Sequence, residues 1–446
     1  MQSNPKNLPV QLFVFIALSL AVVIWTLVVS RNCLYENYSE YFAMGVDSTE
    51  FNSTLQSEYT QQWPKKDGTA INITALQNKL KERLKQATDK KIIVIWTTGI
   101  PLGGGVNREV CGNCEITFNR TLISDNKTAA VVVYFTGTTP ENMPPLMSRN
   151  PNHLYVYWTL ESSASVRFKY HKNLHYEDEY GFNATMTYRR DSDFPDKLYS
   201  ANAVMAIVKS TNVPKPEKLL KLKTKKSLAV VSDCAQHSVA KQRIRLIKQI
   251  IAKGYELEGY GGCFPKQGKF ADGAKRDSQE FFRAIRSYKF YFSFENSYHC
   301  KDYITEKFFK NAFHSYTVPV VWGATKEDYL AFAPAGSFIY AEDFETSNKL
   351  IEYLRYLDQN DTAYLEYFQW HNMDPDRVPG CKSIGRICQL CRALYGINFD
   401  DIYNPNFDPE NHPRPLFDDD VSYRPAVSVR DWFYYKDNKE CFDKYH

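Results

Sequence analysis

The chain has 446 residues, 43% of them hydrophobic and 24% charged. That is ordinary globular composition, which excludes disorder, collagen-like repeats and multi-span membrane architecture for most of its length and leaves room for two to three domains of about 100–200 residues. Lys and Arg total 55 against 51 Asp and Glu, a net charge of +4, so nothing electrostatic makes nucleic acid the main partner.

Residues 1–9 read as a short tail. From Val10 to Ser30 there is no charge in 21 residues; at about 1.5 Å per residue such a helix crosses one hydrocarbon core of roughly 30 Å. The alternative is a cleaved signal peptide, but the run is longer than an h-region of about 7–15 residues. An uncleaved signal-anchor over 10–30 is therefore expected. Lys6 and Arg31 flank it, a weak orientation signal. Seven N-x-S/T sequons follow it, at Asn37, Asn52, Asn72, Asn119, Asn126, Asn183 and Asn360. Their spread predicts a glycosylated body on the lumenal side. Ten cysteines fit structural bridges in that oxidising compartment.

Residues 31–90 are polar and read as a stem. Leu76, Leu80 and Leu84 recur at i, i+4, i+8, one short amphipathic helix. It is either a solvated stem helix or a seam for a homodimer. Short apolar runs then predict buried strands at Ile92–Trp96, Ala129–Phe135 and His153–Leu160, in a first α/β domain over 91–214. A basic, proline-flanked stretch over 215–227 reads as a linker. In the second series, 228–395, strands are predicted at Leu228–Ser232, Lys289–Phe294 and Val318–Trp322. Helices are predicted at Ala240–Lys253, Glu306–Ser315, Asn348–Leu357 and Ala363–Trp370. Strands alternating with helices argue for parallel sheets, and two such series for two α/β domains facing a cleft. No internal repeat is visible. Residues 396–446 form an acidic, aromatic extension.

The chemistry concentrates in Lys289–Gly323. A buried strand delivers Glu295 and Asn296 at its C-terminal end, and a helix opens near Thr305 with Glu306 and Lys307 in its first turn. Strand C-termini beside a helix N-terminus are where α/β folds bind nucleotides. Glu306 in that position complements the helix dipole with or without a ligand, whereas Lys307 opposes the dipole and is better explained by a phosphate.

The stretch FYFSFENSYHCKDYITEKFFKNAF followed by VPVVWGA resembles the signature of the α1,3/4-fucosyltransferases, glycosyltransferase family 10, most like the invertebrate α1,3-enzymes. Trp158–Ser162, Phe182–Asp193, Val230–Cys234, Tyr260-Gly261 and Cys388–Cys391 resemble further landmarks of that family, so the likeness runs from about residue 90 to 395. It implies a GT-B fold of two Rossmann-like domains: an acceptor-side domain over 91–214 and a GDP-fucose-binding domain over 228–395. It implies inverting transfer of L-fucose from GDP-fucose to the 3-hydroxyl of N-acetylglucosamine in glycoprotein glycans. Such chemistry needs a base for the acceptor hydroxyl and a positive environment for the departing GDP.

The resemblance puts the base at Glu161. For the donor it carries over Asn296, Tyr303, Glu306 and Lys307, with an arginine from the helix after Cys234. Arg243 and Arg245 both stand near that place, and Arg243 has the better apolar register with Leu246 and Ile250. The chain departs from the family here, with extra residues after Cys234 and Asp233 where the S-N-C landmark has Asn. The family's layout is a single-pass type II Golgi membrane protein with a lumenal catalytic domain.

Asp191-Ser192-Asp193 is a D-x-D, a metal pattern in other transferases, but the family context gives it a structural, cleft-shaping role. No obligatory cofactor or metal site is expected, with Mn or Mg at most stimulatory. Cys111/Cys114 and Cys388/Cys391 are C-x-x-C pairs, readable as zinc ligands or bridges. The second resembles a disulfide of the family; Cys263 and Cys300 both flank the donor site and form a candidate pair, though connectivity is not readable from sequence. The competing reading is a non-enzymatic, membrane-anchored glycan-binding glycoprotein.

Overall fold

The computed structural model describes residues 62–64, 70–72, 88–97, 108–144, 149–195, 204, 207–208, 210, 213–234, 238–264, 269–373, 385–395, 427–439 and 441. The expected membrane span over 10–30, Asn37, Asn52 and the leucine-spaced stem helix lie outside these residues. Among the described residues no helix is long and apolar enough to cross a membrane. The stretch read as strandless stem contains one small antiparallel pair, Gln62–Pro64 with Ala70–Asn72.

Two five-stranded sheets form the body, and every pairing within them is parallel. The first contains β1 (Lys91–Ile95), β2 (Cys114–Thr117), β3 (Thr128–Tyr134), β4 (Leu154–Thr159) and β5 (Ala184–Thr187), in the order β2-β1-β3-β4-β5. The second contains β6 (Lys225–Val230), β7 (Leu257–Tyr260), β8 (Tyr288–Phe294), β9 (Val318–Trp322) and β10 (Ile339–Tyr340), in the order β7-β6-β8-β9-β10. The two orders are the same once each series is counted from its own first strand. The repeat that is invisible in the residues is thus present in the topology. In each sheet the order reverses between the first and third strands, the crevice where open α/β sheets bind ligands at their strand C-termini.

The central strands are nearly continuous apolar runs because both faces are covered. In the first sheet Ile93, Ile95, Ala130, Val132, Val156 and Trp158 form one buried face, and Ile92, Val94, Val131, Val133, Tyr155 and Tyr157 the other. This is the period-2 alternation of a strand. In the second, Ala229, Phe290, Phe292, Val318 and Val320 pack on Ile244, Ile247 and Ile250 of α1 (Ser238–Ala252). Leu350, Ile351 and Leu354 of α3 (Ser347–Gln359) join the same face. Phe281, Phe282 and Ile285 of α2 (Gln279–Arg286) meet Leu228 and Tyr291 on the other.

What covers the first sheet corrects the linear division of the chain. Helix α4 (Arg386–Ala393), read as the end of the second domain, puts Ile387, Cys388, Leu390 and Cys391 on the first sheet. Part of the supposed extension covers the opposite face with Val429, Phe433, Tyr434 and Cys441. Val204 and Ile207, assigned to the first domain, pack instead with Ile304, Phe308 and Tyr329 of the second. Val204 thus already belongs with the second sheet, and Ile387 is back on the first.

The cysteines are paired otherwise than expected. Cys388 and Cys391, one helical turn apart, do not join each other; they bridge Cys111 and Cys114 respectively, stapling α4 to the first sheet. Cys263 pairs with Cys234, and Cys300 with Cys441, so the Cys263–Cys300 pairing is excluded. All four cysteines of the two C-x-x-C pairs are thus taken up in bridges.

Of the sequons, Asn119 and Asn126 are exposed. Asn119 caps the turn Arg120–Ser124 by accepting from the Thr121 amide. Asn360 is half-buried and caps Asp361–Glu366. Asn72 lies on the small antiparallel pair. Asn183 is a correction: it is 2% exposed, with Oδ1 accepting from the Tyr155 amide at 2.7 Å and Nδ2 donating to the His153 carbonyl at 3.3 Å. Its carboxamide ties β4 to β5 and has no room for a glycan in the folded chain.

Candidate active site

The strand after which Glu161 stands ends at Thr159, whose hydroxyl accepts from the Glu161 amide at 3.1 Å. A wide helical turn follows over Ser165–Lys169, closed by the Tyr170 amide donating back to the Ser165 carbonyl. Such wide turns concentrate at functional sites. Here the turn brings the Tyr170 hydroxyl to 3.4 Å from Glu161 Oε1. Burial is the main influence on Glu161 and raises its proton affinity; Lys169 and Lys307 pull the other way, and Asp233 adds to the rise. A carboxylate raised in this way is suited to take a proton.

On the opposing side, β8 ends at Phe294 and delivers Glu295, which is fully buried. Its Oε1 accepts from the Thr305 amide and hydroxyl, both at 2.9 Å, and its Oε2 accepts from Lys307 Nζ at 2.9 Å. Lys307 Nζ also donates to the Thr305 hydroxyl at 2.7 Å and lies 3.5 Å from Glu306. Burial works against the Lys307 charge, but Glu295 and Glu306 outweigh it, so the ammonium is held above its usual range. Glu306 is drawn below the usual carboxylate range, Lys307 and Arg276 overcoming its burial. Arg276 Nη2 stands 3.3 Å from Glu306 Oε1.

Arg243 projects from α1 to the same strand ends and is 1% exposed. It donates to the Phe294 carbonyl at 3.3 Å and to the Asp233 carbonyl, while its Nε is buried with no hydrogen-bond partner. Burial lowers its proton affinity against the pull of Glu295 and Asp233; a guanidinium remains charged regardless. Arg245 is exposed and donates to Gln242, whereas Arg243 is buried.

Gly323, just after β9, allows this crowding. With φ at +129° and a Cβ that would come within 2.6 Å of Glu295 Cβ and 2.9 Å of the Ser297 carbonyl, no side chain fits. Gly323→Ala is expected to push Glu295 off Lys307 and destabilise the fold by about 1–3 kcal/mol. Thermal melting and GDP titration of the variant check both effects.

The two halves touch where the chemistry converges. The hydroxyls of Ser162 and Ser297 are 2.5 Å apart. Asn296 Nδ2 reaches Ser165 Oγ at 3.5 Å. Tyr303 packs edge-on against Tyr188 of the first half at 4.9 Å. Burial, then the charge of Glu161, raises the Tyr303 hydroxyl well above its ordinary value.

Outside this point the halves are strutted by ions. Asp302 accepts from the Arg190 amide and Nε, at 2.9 and 2.6 Å. Asp328, near the same guanidinium at 3.7 Å, is pushed up to about 6 by burial and then by Asp302. The D-x-D belongs to this strut. Asp191 chelates Arg189 at 2.8–2.9 Å and reaches Lys301 at 3.5 Å, while Asp193 accepts from the Thr185 amide and hydroxyl. Burial raises Asp191, but the Arg189 hydrogen bond and charge outweigh it and hold it below the usual range.

Residues 88–198 match the family description "Fucosyltransferase, N-terminal" and residues 220–404 match "Glycosyltransferase family 10 (fucosyltransferase) C-term". The chain is 33% identical over 304 residues to 4-galactosyl-N-acetylglucosaminide 3-alpha-L-fucosyltransferase 9 of Rattus norvegicus, covering 66% of this chain and 75% of that one. The chain belongs to glycosyltransferase family 10, the fucosyltransferases. It is 34% identical over 262 residues to glycoprotein 3-alpha-L-fucosyltransferase A of Drosophila melanogaster, covering 58% of this chain and 46% of that protein. It thus spans about half the length of the fly relative. A crystal structure of an α1,3-fucosyltransferase with GDP-fucose is similar at 16% identity and a TM-score of 0.41, over 76% of this chain and 100% of that one.

Within this fucosyltransferase, Glu161, Arg243, Asn296, Tyr303, Glu306 and Lys307 gather at the facing strand ends. Sequence reasoning noticed Glu295 at the strand end and gave it no role; its burial beneath Lys307 is a tertiary fact. It missed Lys169 and Tyr170, which follow Glu161 on a turn with no sequence signature. For Asp233 the signal was there: an acid where the landmark has an amide.

Proposed function

We infer that the chain is an inverting α1,3-fucosyltransferase that moves L-fucose from GDP-fucose to the 3-hydroxyl of N-acetylglucosamine in glycoprotein glycans. One observation supports the reading most: a desolvated carboxylate, Glu161, faces a nucleotide-type crevice in which Arg243 is a buried cation and Lys307 a partly buried one. The two parallel sheets with the same strand order fit the two Rossmann-like halves of a GT-B enzyme.

In this reading Glu161 takes the acceptor hydroxyl proton as that oxygen bonds to the anomeric carbon of fucose. The carbon–oxygen bond to GDP breaks on the opposite face, inverting the centre. Lys307 and Arg243 meet the pyrophosphate charge, and Arg does so with a planar fork that Lys lacks. Their burial makes each contact stronger than in water. Glu306 accepts from donor hydroxyls, and Asn296 and Tyr303 shape the junction between donor and acceptor.

We further propose that no metal is obligatory, with Mn or Mg at most stimulatory, since Asp191 already bonds Arg189 and Lys301 and Asp193 bonds Thr185. The proposed setting is a Golgi membrane, single-pass and type II, with residues 10–30 as anchor and 31–90 as stem, a segment through which a homodimer could also form.

The test is incubation of the lumenal body with GDP-fucose and GlcNAc-terminated glycans, with linkage read by mass spectrometry. Fucose in α1,3 linkage is expected. No transfer to any acceptor, with glycan binding retained, would instead support the non-enzymatic glycoprotein.

A further inference from the structure

The base does not face the second domain alone. Lys169 Nζ, on the turn that follows Glu161, reaches across to Asp233 Oδ2 at 3.4 Å. Both side chains are about one-fifth exposed. Asp233 stands just beyond the end of β6 and is tied down on three sides. Its carbonyl accepts from Arg243, the next residue is bridged to Cys263, and the Cys263 amide donates to the Val231 carbonyl at 3.1 Å. That last approach needs Gly261, where a Cβ would lie 2.4 Å from the Val231 oxygen. The backbone that carries the carboxylate is therefore fixed in place. The second carboxylate oxygen, Oδ1, is buried with no hydrogen-bond partner.

We propose that Lys169 and Asp233 form an interdomain ion pair that positions and electrostatically sets the base, Glu161. This rests on the reading of Glu161 as base. Every charged or titratable neighbour enters the balance. From the turn come Lys169 and Tyr170, from the second domain Asp233, Lys307 and Tyr303. Lys169 sits between two carboxylates and, despite its burial, both hold it protonated. With Asp233 as partner, the ammonium is shared and drawn toward the second domain. A neutral amide at 233 could not hold it, and Lys169 would then neutralise Glu161 and weaken it as a base. The acid at 233 thus keeps Glu161 proton-hungry while the lysine closes the cleft beside it. Asp233 and Lys169 are positioning residues; neither is assigned contact with the reacting atoms.

The test is the pH dependence of kcat/KM for fucose transfer in Asp233→Asn, Lys169→Met and the double variant. Asp233→Asn is expected to move the acid limb down by roughly one pH unit. Lys169→Met should move it up by a similar amount, and the double variant should return close to the parent. Thermal melting separates these shifts from loss of fold. A carbon-13 carboxyl titration of Glu161 by NMR reads the same shifts without turnover. Absence of transfer in the parent would therefore strike the fucosyltransferase reading, while unmoved Glu161 titration in both folded single variants would overturn the ion pair.

Discussion

Glu161→Gln is expected to lower kcat by about 10²–10⁴-fold, roughly 3–5 kcal/mol of barrier, with GDP affinity unchanged. Gln has the shape of Glu and still accepts from the Tyr170 hydroxyl, which donates at 3.4 Å in the parent. It cannot take the acceptor proton. The donor-side group is built from Glu295, Thr305, Lys307 and Arg243, none of which is held by Glu161. Single-turnover transfer with calorimetric GDP titration separates the two effects, and an active Gln variant would remove Glu161 from the role. The parent enzyme carries a pH signature of the same residue. A base at Glu161 acts only when ionised, and burial raises its proton affinity. Transfer should therefore be lost on acidification at a higher pH than for an ordinary carboxylate, and restored as pH rises.

Ending the chain after Asn398 is expected to abolish the folded enzyme rather than trim a tail. The cut removes Val429, Phe433, Tyr434 and Cys441 from one face of the first sheet, where each is no more than 1% exposed. The three largest contribute roughly 1.5–3 kcal/mol each, a sum comparable with the 5–15 kcal/mol that holds a typical domain together. The same cut removes the Cys300–Cys441 bridge and the Trp432 and Lys436 carbonyls that accept from buried Arg189 at 2.8 and 3.1 Å. Among the described residues its guanidinium would keep Asp191 alone as a hydrogen-bond partner. Expression yield and the melting transition of the truncated protein check this. A truncation with parental melting temperature and full transfer would show the segment to be dispensable.

The strands were legible where the run is long and apolar. Ile92–Trp96, Ala129–Phe135, His153–Leu160, Lys289–Phe294 and Val318–Trp322 match observed strands to within two residues at either end. The edge strands Cys114–Thr117, Ala184–Thr187, Leu257–Tyr260 and Ile339–Tyr340 were not legible. They have two to four residues and mixed polarity, since an edge strand is paired on one side and its ladder, not its hydrophobicity, defines it. The site was legible at Glu306 and Lys307, because a cation in a first helical turn opposes the helix dipole and so demands a partner. Asn183 shows the limit of a short motif. Its N-x-T is intact, yet the carboxamide is spent on the backbone of β4 and β5.

By itself the sequence determined the family signature and the alternation that makes two parallel sheets, and it singled out one short segment as the candidate donor site. These are local properties, written in the order and spacing of residues. Only the tertiary structure decided which cysteines meet, which face of the first sheet the chain's return covers, and that Lys169 and Asp233 flank Glu161 from opposite domains. Cys111 and Cys388, like Cys114 and Cys391, are 277 residues apart. Contacts at that separation depend on where each sheet's faces need cover from water, which no spacing in the linear chain records.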